Sequence, residues 1–530
     1  MKQEIKCLLT AGAGLASFAD GRAETVNVDR PNFLVIVCED ISPYLGCYGD
    51  GTAVSPNIDR FAGQGILHSR MFTCVGVSSP SRYSLITGRY ASTDGANYMR
   101  VNLFNKDFET VPPDGVKCFT EYLRKEGYYC TNNSKTDYQF TSPVAAWDEN
   151  GAKAHWKNAP QDQPFFSIFN LNVTHESQIW KNTDRELAVN PDSVSVPPYY
   201  PDTPTVRHDI AVMYSNVKLM DAQFQKLLDE LEASQRSGNT IVVFYSDNGG
   251  PLPRAKRELM DSGTLVPFII RFPDGKKAGT VCNGMNMFVD IPATFLSLAG
   301  IRPPENMHGR AMYGKYKGKA REYVFGATDR FDEQVEKRGA IRSGRYLYIR
   351  NYMPQQSVYR PVKYRLQMEM MKEMVRLREE GRLEGAQNFW FESPAPSEAL
   401  YDCQCDPHNI LNLASDRKYS KVLEKMRKAY REEWIEPYNI EWESEDEGYF
   451  TGKAWKEGAK PVCENPDVKI EDGTLTVGND RSIYSISFKS EGDSGWTLYT
   501  GPVSFCRECK VRVRVERIGY TPSETELEIK

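Results

Sequence analysis

A hydroxyl group, a proline and a permanent cation lie within one short segment, Ser78–Arg82, which reads Ser-Ser-Pro-Ser-Arg. The proline restricts the local backbone, and the arginine keeps its charge at any ordinary pH. Such a segment can hold one side-chain oxygen, that of Ser78, beside a fixed positive charge. Leu85 and the pair Thr87-Gly88 follow, and a Thr-Gly pair is typical of a turn. The alternative interpretation is a surface turn, which is the commoner fate of a Ser-x-Pro sequence.

Two pairs of oxygen-bearing side chains follow apolar stretches of the chain. Glu39 and Asp40 come directly after one stretch, and Asp247 and Asn248 come just after another. Oxygen ligands of this kind favour a hard divalent cation such as calcium or magnesium over zinc. Each residue taken alone is better explained as a loop carboxylate or a turn former. The pairs therefore indicate a metal site only if the fold brings them together.

Three apolar runs predict buried strands, two of them ending in these pairs and the third leading to Thr174 and His175. They span Phe33–Cys38, Phe165–Leu171 and Ile241–Tyr245, and such continuous runs suit central strands that are buried on both faces. Helical patterns lie between them at Cys118–Glu126 and Val212–Leu231. Alternating strands and helices predict a mostly parallel sheet sandwiched by helices. Ligands of such sheets bind beyond the carboxyl ends of the strands, so one shared active site is expected there.

The segment Ser78–Arg82, with the Leu-x-Thr-Gly that follows it, resembles the signature of the type I sulfatases, Cys/Ser-x-Pro-Ser/Ala-Arg and Leu-x-Thr-Gly. Further resemblances follow in order through residues 30–415, among them Ser55–Asp59 and Leu400–Asp402. In that family the first signature residue is oxidised to formylglycine, whose hydrated aldehyde is the nucleophile, and Ser78 holds its place. The resemblance implies an alkaline-phosphatase-like α/β fold and a sulfatase activity.

The resemblance also implies a metal site. It assigns one divalent ion, Ca²⁺ in the first place and Mg²⁺ as the alternative, to Glu39, Asp40, Ser78, Asp247 and Asn248. The family usually has two Asp in the first pair, so Glu39 is a departure. Its longer side chain can still bind a metal, with altered geometry or through a water molecule.

Five side chains take the remaining roles that the resemblance implies. Arg82 and the metal would lower the pKa of the nucleophile, and Lys135 and Lys256 would stabilise the negative charge on the sulfuryl oxygens. His175 would protonate the leaving group. In many members a His stands two positions after the catalytic Lys, and Asp137 stands there in this chain. Asp137 is expected to orient Lys135 or to bind substrate.

The substrate is predicted from weaker similarities. Asp247–Arg254 resembles an Asp-Asn-Gly-x-Pro-x-Pro segment of the N-sulfoglucosamine sulfohydrolase branch, and Gly95–Arg100 resembles a segment found in its relatives. These similarities favour a sulfated, glycosaminoglycan-type glycan with an N-sulfoglucosamine unit, and they place Arg254 beside the sugar. Asp329–Glu333 is either a further sugar-binding cluster or a solvated run of charge.

Three other functions stay open at this stage. One is a carbohydrate sulfatase that is specific for an O-sulfate. A second is a phosphodiesterase or phosphonate hydrolase of the same superfamily, although the chain lacks the extra His and Asp ligands that several of those enzymes need. The third is a non-catalytic glycan-binding relative, suggested by Asp137 and by a serine that stays inert unless it is modified.

The N-terminus and the overall charge predict the compartment and the partners. Lys2 and Lys6 precede a short apolar stretch that is typical of a secretory signal, with an N-terminal helix as the alternative, and Cys7 leaves a lipid anchor open. We therefore expect a periplasmic or secreted protein without a transmembrane segment. A serine nucleophile implies an anaerobic-type radical maturase as partner. The net charge of -5 and the lack of a basic run argue against nucleic-acid binding.

The length of 530 residues predicts several domains. We assign residues 1–25 to the signal, 26–330 to the catalytic α/β domain, 331–455 to a smaller α+β subdomain, and 456–530 to an accessory β-sandwich-like module. Short alternating patterns in the last region are typical of strands separated by polar turns.

Two features outside the site complete the expectations. Tyr364–Glu384 is rich in Met, Arg and Glu and predicts an exposed amphipathic helix that either decorates the surface or packs over the site. The close pairs Cys403/Cys405 and Cys506/Cys509 do not match a zinc site, and local disulfides are expected in an exported protein.

Overall fold

A nine-stranded sheet with helices on both faces forms the centre of the fold in this computed structural model. The structure describes residues 30–99, 109–181, 185–440, 455 and 458–529. The predicted signal at residues 1–25, and Cys7 within it, lie outside the described residues. Among the described residues, no helix combines the length and apolar character needed to cross a bilayer.

The elements are numbered in chain order. The strands are β1 (Asn32–Cys38), β2 (Ile66–Phe72), β3 (Tyr98–Met99), β4 (Tyr129–Asn133), β5 (Glu149–Asn150), β6 (Phe165–Leu171), β7 (Thr240–Ser246), β8 (Leu265–Arg271), β9 (Thr280–Cys282), β10 (Asn286–Met287), β11 (Val324–Phe331), β12 (Gln334–Arg342), β13 (Tyr346–Asn351), β14 (Glu398–Asp402), β15 (Val468–Glu471), β16 (Thr474–Val477), β17 (Ser485–Ser490), β18 (Thr497–Leu498), β19 (Val503–Ser504), β20 (Cys509–Glu516) and β21 (Ser523–Ile529). The helices are α1 (Pro56–Gln64), α2 (Ser78–Thr87), α3 (Phe119–Lys125), α4 (Ser177–Lys181), α5 (Pro204–Glu232), α6 (Asp261–Thr264), α7 (Asp290–Leu298), α8 (Glu369–Glu379), α9 (Ser420–Ala429) and α10 (Glu436–Tyr438).

The large sheet is mostly parallel, as predicted. Its order is β10-β2-β8-β7-β1-β6-β4-β5, with β9 beside β2, and only β8 runs antiparallel to its neighbours. The three predicted buried strands are β1, β6 and β7, which lie next to one another at the centre. In β1, alternate residues point to opposite faces, so Val35 packs in one core cluster and Ile36 in the other. Both clusters are dry, which explains why the run is apolar throughout.

A second, five-stranded sheet follows in the order β14-β13-β12-β11-β3. Four of its strands come from residues 324–402, so the boundary that we set at residue 330 falls inside β11. The fifth strand, β3, comes from the first half of the chain and pairs with the end of β11, Arg330 opposite Tyr98 and Phe331 opposite Met99. This pairing joins the second sheet to the catalytic part of the chain.

The predicted amphipathic helix is α8, and it is not a surface decoration. Its buried face, Met370, Met371, Met374 and Leu377, packs in one core cluster with residues of α5. Asp209 of α5 accepts a hydrogen bond from the backbone N–H of Met370 at 2.9 Å. Flexible Met side chains fill irregular gaps well, which suits a helix that packs across a long neighbour.

Two small sheets form the C-terminal module, in the orders β15-β16-β19 and β18-β17-β20-β21. They enclose their own core, which includes Leu475, Val511 and Val513. The module docks against the region around α3, where Lys117 Nζ donates to the carbonyls of Arg481 and Tyr484 at 2.8 Å each. The strands of these two sheets lie within residues 468–529.

The expected local disulfides are absent from the described residues. Cys403, Cys405, Cys506 and Cys509 are all free thiols. Cys74 is a buried core residue, and burial raises the pKa of its thiol. The prediction of disulfides at the two close pairs was wrong, because closeness in sequence does not fix the geometry that a disulfide needs.

A buried acid at the module interface makes the stability depend on pH. Glu516 accepts a hydrogen bond from the backbone N–H of Val144, and burial raises its pKa to about 7 although Arg514 opposes the shift. An acid with a raised pKa in the folded state stabilises the fold below its ordinary pKa, and this contribution is lost as the pH rises to about 7. We expect the wild type to lose roughly 3 kcal/mol more unfolding free energy than Glu516→Gln between pH 4.5 and 8.

Denaturant unfolding at a series of pH values checks this prediction. Glu524→Gln is the matched control, because Glu524 also pairs with Arg514, at 2.8 Å, but is exposed. Parallel pH profiles for the wild type and Glu516→Gln would contradict it.

Candidate active site

The carboxyl ends of the central strands bring the predicted site residues together. The parallel register sets Cys38 of β1 opposite both Leu171 of β6 and Ser246 of β7, so these strands end at the same level. The backbone N–H of Glu39 then bonds the carbonyl of Leu171, and that of Asp247 bonds the carbonyl of Cys38. The chain thus leaves three adjacent strands at one edge and delivers its polar clusters into one space.

Ser78 is the first residue of α2, which is buried along its whole length. Its Oγ lies 3.1 Å from Oδ1 of Asn248. The residue as a whole is 1% exposed. The helix N-terminus carries a partial positive charge, which favours an oxyanion at this position. Arg82 stands four residues later on the same face of the helix, and Gly88 ends the helix with a φ of 71°. The motif from Ser78 to Gly88 therefore corresponds to one helix and its C-cap.

Three carboxylates lie side by side next to Ser78. Oxygen atoms of Glu39, Asp40 and Asp247 all lie within 4.8 Å of one another, and the three residues are fully buried. Nδ2 of Asn248 donates to Asp40 Oδ1 at 2.9 Å, which leaves its Oδ1 on the side of Ser78. This donor set is rich in oxygen and contains no thiol, so it fits a hard divalent cation. Glu39 therefore reaches the cluster despite its longer side chain.

Two cations hold Glu39 ionised. Oε1 of Glu39 accepts from Arg82 Nη2 at 2.6 Å, and Oε2 accepts from Lys135 Nζ at 2.5 Å. Burial would raise the pKa of Glu39, but the charges of Lys135 and Arg82 outweigh burial and hold it below its usual value. Arg82 also donates from Nε to Asp247 Oδ2 at 3.0 Å. Arg82 thus positions two candidate metal ligands at once.

Lys256 lies on the other side of the cluster. Its Nζ is 2.6 Å from Asp40 Oδ2 and 3.2 Å from Glu176 Oε1, and it is 1% exposed. Burial lowers its pKa, but the two carboxylates raise it further, so the ammonium stays charged. The family-implied placement of this Lys beside the site agrees with these contacts.

His175 follows β6 and is partly exposed. Its Nδ1 accepts from the backbone N–H of Ser177 at 3.3 Å, so a neutral ring carries its proton on Nε2. Burial and the charge of Lys256 lower the pKa of His175. A partly exposed imidazole of this kind, next to the carboxylate cluster, is suited to donate a proton or hydrogen bond to a ligand.

Asp137 and Arg254 were both expected to touch the substrate, and their surroundings differ. Asp137 is 42% exposed at the rim, with Oδ2 3.7 Å from Lys135 Nζ, which is compatible with orienting that Lys. Arg254 is 1% exposed, and its guanidinium donates to the backbone carbonyls of His408 and Asn409 and lies over the ring of Tyr199. Arg254 is therefore a buried structural residue in this structure, and we correct its placement beside the sugar.

The charged cluster at Asp329–Glu333 is only partly at the site. Asp329 is buried and accepts from Asn97, whereas Asp332 lies at the hairpin turn 3.6 Å from Arg257. The tip of this hairpin therefore borders the site, but its first residue belongs to the interior.

Three residues escaped the sequence analysis. Glu176 binds Arg257 through both carboxylate oxygens at 2.8 Å, and its backbone N–H donates to Asp40 at 2.7 Å. Asn170 accepts from Arg82 Nη1 at 2.7 Å. Asn170 could have been found as the one amide in an apolar strand, and Glu176 as the neighbour of His175. Nothing in the sequence marked Arg257.

Comparisons with known proteins agree with this geometry. Residues 31–156 and 152–301 match the family model described as Sulfatase, and residues 254–378 match that described as N-sulphoglucosamine sulphohydrolase, C-terminal. The chain is 38% identical over 542 residues to an ulvan-active sulfatase of Formosa agariphila, with 94% of this chain and 91% of that protein covered.

Two further relatives are more distant. N-sulphoglucosamine sulphohydrolase of Homo sapiens is 25% identical over 461 residues, with 75% of this chain and 89% of that protein covered. The solved structure of a 2-O GAG sulfatase superposes with a TM-score of 0.57 at 20% identity, covering 77% of this chain and 93% of that one, and supports the alkaline-phosphatase-like fold. On its motif, its fold and the match of its catalytic half, the chain belongs to the sulfatase family of sulfuric ester hydrolases.

Proposed function

We propose that this protein removes sulfate from a sulfated glycan, with residue 78 converted to formylglycine as the nucleophile and one divalent metal, Ca²⁺ in the first place, beside it. The observation that carries the proposal is the buried contact between Ser78 and Asn248, flanked by three carboxylates and by cations on both sides. A surface turn or a purely structural serine would not need this concentration of charge.

The residues present fit the metal that the family implies. Glu39, Asp40, Asp247 and Asn248 would hold it, with the side chain at position 78 next to them. When bound, such a cation supplies Lewis-acid stabilisation of negative charge on oxygen and lowers the pKa of a neighbouring hydroxyl group.

The protein's own side chains account for the rest of the reaction. The N-terminus of α2 and Arg82 favour negative charge on the attacking oxygen. Lys135 and Lys256, one partly exposed and one buried, would accept the developing charge on the sulfuryl oxygens. His175 would donate its Nε2 proton to the departing oxygen or nitrogen. Asp137, at the position where many relatives carry a His, would keep Lys135 directed into the site.

A single metal ion is favoured over a two-metal phosphodiesterase. Oxygen or nitrogen atoms of Asp40, His175 and Glu176 also lie within 4.8 Å of one another and could suggest a second ion. The ammonium of Lys256, however, lies between Asp40 and Glu176 and contacts both, and Arg257 also pairs with Glu176. A second dication there would have to displace a buried, paired cation, which is costly.

Two sulfated substrates have specific support. The match of residues 254–378 and the human relative favour N-sulfoglucosamine. The ulvan-active relative is more similar and covers nearly the whole chain, so it favours an O-sulfated polysaccharide of the ulvan type. Because that second match is stronger, ulvan oligosaccharides are the first substrates to test and N-sulfated heparin disaccharides the second. A periplasmic or secreted location and a radical maturase as partner complete the proposal.

Sulfate release by converted protein tests the function. We expect protein co-expressed with a serine-type maturase to release sulfate from one of the two substrates, and the peptide containing residue 78 to be lighter by two hydrogens. Ser78→Ala is expected to lower kcat/KM by about a thousandfold or more, since the nucleophile is removed. Converted protein that binds sulfated glycans but releases no sulfate would instead support the non-catalytic relative.

The metal content tests the single-ion site. We expect one divalent ion per chain by mass spectrometry of the purified, converted protein, and a strong loss in Asp247→Ala, which removes a buried ligand candidate. Two tightly bound ions per chain would contradict the assignment and favour the phosphodiesterase reading.

The role of Arg82 in positioning the ligands is testable by Arg82→Lys. A Lys cannot bridge Glu39 and Asp247 as the guanidinium does, so we expect metal affinity to fall by about 10–100-fold and kcat to fall with it. Metal titration and kinetics provide the measurement. Arg60→Lys is the control, because Arg60 is exposed and donates only to neutral groups, Asn57 and Gln225. Unchanged metal affinity in Arg82→Lys would refute the bridge.

A further inference from the structure

A pair of aromatic side chains stands beside His175 and has no function in the proposed reaction. The ring of Tyr364 lies 6.3 Å from the imidazole of His175, and the ring of Trp180 lies 5.0 Å from that of Tyr364 at an interplanar angle of 81°. Both aromatic residues are partly exposed. The two rings therefore form a nearly right-angled corner next to His175, the residue that we propose protonates the leaving group.

One side of the corner, Trp180, also lines a groove. Trp180 lines a cavity of about 730 Å³, and the other lining side chains are mixed in character, with the polar ones including Thr205, His208 and Gln367. Ligand sites typically combine apolar, often aromatic, surface with a few polar groups of this kind. The groove therefore adjoins the corner on the side that Trp180 forms, and Tyr364 lies between Trp180 and His175.

Both sides of the corner are firmly supported. Trp180 belongs to α4, which starts two residues after His175. Tyr364 is followed directly by the buried residue Arg365. The helix α8 comes next and packs its Met face against α5. The backbone N–H of Lys363 donates to Glu333 at 2.6 Å, which ties this segment to the hairpin at the site. The corner is therefore part of the folded framework and is formed before a ligand arrives.

We propose that Trp180 and Tyr364 form a sugar-binding subsite for the pyranose next to the sulfated unit, so that the substrate is an oligosaccharide and not a single sugar. A pyranose has an apolar face of C–H groups, which gains by covering an aromatic ring, while its hydroxyl groups can meet the polar side chains of the groove. Binding energy gained at such a remote sugar can also orient the sulfate for attack. The inference rests on the proposed function, because it places the subsite on the leaving-group side of the same reaction.

Kinetics on long and short substrates test the subsite. For Trp180→Ala we expect kcat/KM on a sulfated tetrasaccharide to fall about tenfold more than kcat/KM on 4-nitrophenyl sulfate, mainly through KM. Trp180→Phe should recover most of the loss, since it restores an aromatic face. Trp496→Ala is the matched control, because Trp496 is a partly exposed Trp of the C-terminal module and lies outside the site. Equal losses on both substrates, or no loss, would overturn the subsite.

A binding measurement separates this inference from the proposed function. Calorimetry with the same tetrasaccharide and Ser78→Ala protein needs no turnover, and we expect Kd to rise about tenfold when Trp180→Ala is added. Unchanged Kd would refute the subsite even if sulfate release is confirmed. A tenfold rise would support the subsite even if the wild type released no sulfate, in which case only the proposed reaction would fail. Near-identical melting temperatures of the two variants exclude unfolding as the cause.

Discussion

Charge compensation around three buried carboxylates organises the whole site. Glu39, Asp40 and Asp247 are removed from water and lie close enough to repel one another, and each buried ion costs several kcal/mol unless it is paired. Arg82 and Lys135 on one side and Lys256 on the other supply the pairing. These three cations match the three carboxylates in charge, which makes burial of the cluster possible. A hard dication would add positive charge beside the nucleophile.

The same constraint extends into the surroundings. Lys256 and Arg257 bring two positive charges together, and Glu176 compensates both through contacts of 3.2 and 2.8 Å. Farther out, Arg338 is held by Glu258 and Glu336 in another buried group. A buried cation near the site is therefore not by itself a substrate contact. Arg254 illustrates this, since backbone carbonyls and aromatic rings surround its guanidinium.

The sequence analysis predicted correctly those elements that depend only on the local pattern of apolar residues. The buried central strands were predicted from unbroken apolar runs. The helix α2, on which Ser78 and Arg82 lie one turn apart, was not predicted. Prediction also failed in the loop after Asn248, where Arg254 and Lys256 lie two residues apart but point into different surroundings. Positive φ angles at Arg254 and Arg257 turn this loop in a way that no periodicity predicts. The prediction of disulfides at the close cysteine pairs failed for the same reason, since disulfide formation depends on tertiary distances.

The contrast between the centre and the rim explains why the reaction class can be inferred more firmly than the substrate. The groups that hold the nucleophile and its charges are buried, so any change there leaves an unpaired ion and is strongly constrained. Lys135, Asp137 and His175 lie at the accessible edge. Asp137 is 42% exposed, so a substitution of this residue costs little stability. Asp in place of the usual His alters charge and hydrogen bonding only at this edge. Substrate choice is therefore expected to reside in the rim and in the aromatic corner beside it, which lie outside the signature motif.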